Sequence, residues 1–144
     1  MKVIERGLPA AAAIVLCSAL AIGQAPASVW DGVYTEEQAA RGLTAYKEKC
    51  GTCHGDALEG GGVFPPLAGD DFKANWNGQH LSDLFERIRI TMPADHPGTL
   101  SGAQNADILA YMLKKNEFPA GSTPVASDAN ALKSIRFDAA KPKK

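Results

Sequence analysis

The sequence predicts an all-α fold, and three observations carry that prediction. Two hydroxyl-x-x-Gln boxes, Thr35–Gln38 and Ser101–Gln104, each precede apolar residues at helical spacing. A third stretch places Leu81, Leu84, Phe85 and Ile88 at i, i+3, i+4 and i+7, the stripe of an amphipathic helix. No segment shows convincing strand alternation, and no internal repeat is visible. At 144 residues the chain has room for one domain and a short tail or two. Its net charge of −1, with acids and bases well mixed, argues against a nucleic-acid partner.

The first 27 residues read as a segment outside the fold. Lys2 and Arg6 give a positive start, and Leu8 to Ile22 is almost unbroken apolar sequence. Ala25-Pro26-Ala27 then supplies a small-x-small cleavage site before Ser28, which completes the order of a secretory signal peptide. The competing reading is a retained anchor, but the apolar run of about 15 residues falls short of the ~20 that span a bilayer. Stable membrane insertion is therefore not expected. Cys17 lies within this segment, so cleavage near Ala27 leaves Cys50 and Cys53 as the cysteines of the exported chain. The expected division is a signal peptide over 1–27, a domain over 28–121, and a C-terminal extension over 122–144 ending in a basic tail.

Along the exported chain, Ser28–Tyr34 is a lead-in with Trp30 exposed and a turn at Asp31-Gly32. The Thr35 box opens a helix that runs to about Lys49, with Glu36 and Glu37 suiting its first turn and Lys47 and Lys49 its last. Ala39, Leu43 and Tyr46 line one face. Gly42 interrupts this helix at a cost of roughly 1 kcal/mol relative to alanine, so close approach of another helix is expected there. From Gly55 to Gly78 the triple glycine 60–62 and Pro65-Pro66 forbid a long regular element, and the stretch reads as loop wrapped around a ligand. The next helix takes Ser82 as its N-cap and ends near Thr91, because the residue before Pro93 avoids helical geometry. The Ser101 box opens the last main helix, with Ile108, Leu109, Met112 and Leu113 on its buried side and Asn116 as a left-handed terminator. Beyond Gly121, Leu132, Ile135 and Phe137 are placed to pack back as a short helical turn.

Cys50-Gly51-Thr52-Cys53-His54 is the attachment signature of a c-type haem. Two thiols three apart at a helix end can reach the two vinyl groups on one porphyrin edge, and the following histidine is carried under the iron. A thioredoxin-type thiol pair needs a strand before it and a helix after it, whereas here a helix comes before and loop after. A structural zinc site needs four ligands at related spacing, whereas His80 and His96 lie alone and far apart. The expected cofactor is one covalent haem c, bound to Cys50, Cys53 and His54.

Met92 is the candidate for the sixth iron ligand. It follows a helix and opens a proline-bounded loop, a position that suits a thioether swung over a haem face better than a core filler. Met112 fits the core role instead. His96 and His80 remain as alternative ligands, each more suited to the surface.

With these residues in place, the chain resembles a class I monohaem cytochrome c over about residues 35–118. The resemblance implies three to five helices wrapped around one covalently attached haem. Gly42 and Tyr46 match its Gly-x-x-x-aromatic pattern on the first helix, which implies a close crossing with the last helix at Tyr111. Pro65-Pro66-Leu67 matches a Pro-x-Leu whose proline carbonyl, here Pro65, accepts a hydrogen bond from the ligating histidine. Trp76 resembles an indole that faces a haem propionate, beside the simpler reading of a core tryptophan. The segments 28–35, 107–111, Asn116 and 119–121 are most similar to haem proteins that take electrons from periplasmic quinoprotein (PQQ) dehydrogenases.

The function implied is a periplasmic carrier moving one electron from such a dehydrogenase to a terminal oxidase or another cytochrome. Gly51, Thr52, Val63, Phe64 and Ala94 are the expected docking ring. The expected protein is not itself an enzyme. Two alternatives stand beside it: a haem subunit docked permanently in a dehydrogenase or oxidase complex through 122–144, and a haem enzyme with an open sixth site.

Overall fold

The computed structural model describes residues 28–143, so the expected signal peptide lies outside the described residues. A short 3-10 turn, Val29–Asp31, leads into α1 (Glu36–Lys49) and the single turn α2 (Gly51–His54). Then follow α3 (Asp70–Trp76), α4 (Leu81–Thr91), α5 (Gly102–Lys115) and the single turn α6 (Ala129–Leu132). Among the described residues the only β pairings are isolated bridges, and the fold is all-α as the sequence predicts. The six helices exceed the expected three to five because α2 and α6 are each four residues long.

The frame is the crossing of α1 and α5. Gly42 is buried at the contact, where an added Cβ would collide with the Asp107 carbonyl and the Tyr111 side chain. Only a residue without Cβ lets these backbones approach so closely. Tyr46 and Tyr111 flank the crossing with ring centroids 5.3 Å apart. On its rim, Arg41 grips Asp107 with two bonds of 3.0 and 2.9 Å. Helix α5 is buried over more of its surface than the four predicted residues, because Ala106, Ala110 and Tyr111 join Ile108, Leu109, Met112 and Leu113 in the core. Both α1 and α4 pack against α5, so its buried face is wider than a single stripe.

The capping boxes differ in outcome. At Ser101 both arms form: Gln104 N–H donates to Ser101 Oγ at 3.2 Å, and Ser101 N–H donates to Gln104 Oε1 at 2.9 Å. At Thr35 one arm forms, from Gln38 N–H to Thr35 Oγ1 at 3.2 Å. The Gln38 amide instead turns inward and pairs with both backbone groups of Val125, at 3.0 and 2.7 Å. Helix α4 begins one residue before the expected cap: His80 is its N-cap, Ser82 is buried in the first turn, and His80 N–H donates to Asp83 Oδ2 at 2.9 Å. The bond from Leu81 N–H to Ile135 O, 2.8 Å long, fixes that earlier start.

The chain beyond Gly121 packs onto the domain. Val125, Leu132, Ile135 and Phe137 are buried, and Phe137 lies edge-on to both Phe72 and Phe118. Backbone bonds tie this segment to the start of the described chain, from Val29 N–H to Arg136 O, and to 78–79 through Phe137. Trp30, expected to be exposed, is half-buried: its indole N–H donates to Asp138 O at 2.8 Å and its ring meets Phe118 edge-on. Lys141, Pro142 and Lys143 are exposed.

Candidate functional site

Helix α1 delivers the Cys-x-x-Cys-His motif directly. Cys50 is its C-cap, and α2 follows at once, so Cys50, Cys53 and His54 share one tight turn. The bond from His54 N–H to Cys50 O, 2.9 Å, closes it. Tyr46, fully buried in α1, donates its hydroxyl to Gly55 O at 2.7 Å and ties the end of the motif to the frame.

Cys50 is half-buried and Cys53 exposed, and no disulfide joins them. Burial pushes the Cys50 thiol up to about 11, with Cys53 adding to the effect. His54 is buried, and its Nδ1 lies 2.9 Å from the Pro65 carbonyl oxygen. A carbonyl only accepts, so Nδ1 carries the proton and Nε2 keeps its lone pair for a metal. Two adjacent thiols beside an imidazole poised in this tautomer are the donor chemistry that a haem c requires.

The segment that carries Pro65 is irregular yet tightly bonded. Gly61 and Phe64 exchange two backbone bonds of 2.9 Å, Gly60 N–H reaches back to His54 O at 2.8 Å, and Leu67 N–H reaches Leu58 O at 2.9 Å. Leu58 is fully buried and anchors the turn. Sequence reasoning extended this loop to Gly78, whereas α3 occupies its last third. Asp70 and Asp71 in the first turn complement the helix dipole, and Phe72 is anchored in the core. Trp76 sits half-buried at the end of α3, tilted against Phe72 with centroids 6.3 Å apart.

Met92 caps the C-terminus of α4, half-buried, with its N–H bonded to Ile88 O at 2.9 Å. His96, on the same loop, is exposed and pairs with Asp95 at 3.1 Å, and His80 is also exposed. Met112 is buried in α5. Of the expected docking ring, Val63, Phe64, Thr52 and Ala94 are exposed, Val63 at 90%, whereas Gly51 is buried beneath the motif.

Sequence reasoning missed what Asn116 does. It is not the left-handed residue, with φ −89° and ψ 11°; Glu117 takes that conformation at φ 65°. Its buried side chain instead bonds the Pro65 segment: Nδ2 donates to Leu67 O at 3.0 Å and to Met112 O at 2.8 Å, and Oδ1 accepts from Gly69 N–H at 3.1 Å. No local pattern in the sequence signals these partners.

The family described as cytochrome c oxidase, cbb3-type, subunit III, matches residues 37–112, more than half of the chain. The chain belongs to this family. It is a class I c-type cytochrome, its cofactor is a covalently bound haem c, and its role is haem-based electron transfer. When bound, that haem supplies one-electron exchange between ferrous and ferric iron.

The cytochrome is similar to a thiosulfate dehydrogenase of Stutzerimonas stutzeri (strain A1501), with 40% identity over 80 residues, which is 51% of this chain and 26% of the relative. It thus spans about a quarter of that relative's length. Among solved structures it is similar to the sulfane dehydrogenase SoxCD from Paracoccus pantotrophus, with a TM-score of 0.47 and 24% identity over 62% of this chain and 53% of the other. The match to thiosulfate dehydrogenase corrects the expectation of a chain that is not an enzyme, because the matching segment occurs within an enzyme. Among the described residues no helix is long and apolar enough to cross a membrane.

Proposed function

We propose that this cytochrome is the haem-carrying electron-transfer part of a periplasmic dehydrogenase system, passing single electrons from substrate oxidation to a downstream acceptor. In this reading Cys50 and Cys53 hold the haem through thioethers. His54 Nε2 and the Met92 sulfur would ligate its iron, and Trp76 would donate its indole N–H toward the haem. The observation that carries the proposal is the His54–Pro65 bond, which engages Nδ1 and leaves Nε2 as the nitrogen to ligate a metal, on the same turn as Cys50 and Cys53. A ligand held in one tautomer and one orientation reorganises little when an electron arrives. The exposed Val63 and Phe64 would then border the port where partners dock in small, short-lived encounters.

Residues 1–27 would direct export and be cleaved near Ala27, leaving the packed chain from Ser28 onward in the periplasm. The name of the Stutzerimonas relative makes a thiosulfate-oxidising enzyme the first candidate donor. The lead-in resemblance makes a quinoprotein (PQQ) dehydrogenase the second. The acceptor would be a terminal oxidase or another cytochrome, and a docked haem subunit is the alternative arrangement.

Stopped-flow reduction of the ferric protein, with each class of dehydrogenase and its substrate, tests the donor. Rapid reduction that requires the dehydrogenase supports the relay. Carbon monoxide binding to the untreated ferrous protein would contradict it, because a closed six-coordinate site leaves no position for the gas.

A further inference from the structure

The hydrogen bonds around Pro65 lead to a residue beyond the motif. We propose that Asn116 is a positioning residue for His54, acting through the backbone of 65–69; the inference rests on the ligand reading above. The Pro65 carbonyl is the acceptor that sets the imidazole, so its placement governs how strongly His54 is polarised. Pro65 is exposed and proline has no N–H, so its own peptide unit supplies no donor to lock it. Its position is therefore set by its neighbours on either side.

On the N-terminal side the Gly61–Phe64 pair holds Phe64. On the C-terminal side Leu67 is gripped twice: its N–H donates to Leu58 O, and its carbonyl accepts from Asn116 Nδ2 at 3.0 Å. Asn116 Oδ1 also accepts from Gly69 N–H at 3.1 Å. One amide thus clamps two backbone groups two residues apart, and its second donor, to Met112 O at 2.8 Å, seats it on the end of α5. Asn116 is 3% exposed, so these bonds meet little competition from water. The side chain uses both sides of the amide, a pattern that neither leucine nor aspartate reproduces. The Asn116 clamp makes the end of α5, remote in sequence, part of the apparatus that orients His54.

The test uses the full holoprotein and two readouts: the reduction potential, and solvent exchange of the His54 Nδ1 proton followed by NMR. Asn116→Leu removes the clamp at similar volume, and Leu132→Ala, in α6, serves as a destabilised control remote from Pro65. Asn116→Leu is expected to raise the potential, because a less polarised imidazole stabilises ferric iron less. It is also expected to speed Nδ1 exchange relative to wild type, because the carbonyl that accepts this proton is held less firmly. Leu132→Ala should lose stability with neither change. If Asn116→Leu yields no holoprotein, Asn116→Asp is read by Nδ1 exchange alone, because it keeps the acceptor for Gly69 and loses both donors but adds a carboxylate that shifts the potential by itself. Asn116→Leu matching Leu132→Ala in potential and exchange, or Asn116→Asp matching it in exchange, would overturn the clamp. A wild-type His54 ring without iron-shifted resonances would instead overturn the ligand reading beneath it.

Discussion

The α1–α5 frame and the 55–69 segment reach their shapes by different physics. The frame is held by packing: Gly42 admits the Asp107 backbone, two tyrosines flank the crossing, and the buried residues of α5 fill the interior. The 55–69 segment buries only Leu58 and holds its course with hydrogen bonds to particular atoms, among them Gly60 to His54, Leu67 to Leu58 and Asn116 to Leu67. Packing is distributed and tolerant, so it sets stability. Hydrogen bonds to a single carbonyl are local, so they set the orientation of one ring. The frame should therefore govern how firmly the protein folds, and the segment how the iron behaves.

The largest expected effect lies in the frame's extension. Phe137→Ala removes a fully buried ring that meets Phe72 and Phe118, and should lower the unfolding free energy by about 3–5 kcal/mol in denaturant titrations. The reduction potential should stay near the wild-type value, and a large shift would break the division between the two regions. Gly42→Ala comes next. Its Cβ would strike the Asp107 carbonyl, so the helices must part, at a cost of about 1–3 kcal/mol in the same titration.

Tyr46→Phe joins the two regions, because its ring belongs to the frame and its hydroxyl to the motif. Leaving the Gly55 carbonyl without that donor should cost about 1 kcal/mol and alter the haem spectrum, a combination that neither frame variant shows. A last effect is confined to alkaline pH and is absent at neutral pH. Burial, with Glu36 adding to it, pushes the Tyr34 hydroxyl up to about 12 from 10.0, and that hydroxyl donates to Phe118 O at 2.7 Å. The folded state therefore holds this proton more tightly than the unfolded chain. Its stabilising contribution is complete below pH 10 and is lost as pH rises to about 12. Tyr34→Phe should flatten that part of the stability–pH profile, as measured by unfolding at successive pH values.

The same division explains what the sequence made legible. Periodicity placed α1, α4 and α5, and caps placed the starts of α1 and α5, because each rule acts within a few residues, as the Ser101–Gln104 box does in full. Gln38 broke the rule at Thr35 because a distant partner, Val125, competes for its amide. Helix α3 escaped notice because seven residues between glycines carry little periodic signal, and its anchor, Phe72, is fixed by packing against Phe137. The Cys-x-x-Cys-His motif was visible because covalent attachment dictates spacing. The Pro65 carbonyl came into view through family resemblance, whereas the Asn116 clamp is set by tertiary bonds that no local pattern announces.

The central claim is that His54 and Met92 close both faces of one covalently attached haem. A redox titration of wild-type and Met92→Ala holoprotein, with optical spectra at each potential, tests it directly. A thioether ligand raises the potential, so the variant should titrate well below wild type and lose the weak sulfur-to-iron band at the red end of the ferric spectrum. Equal potentials, with that band absent from the wild-type spectrum, would contradict the account.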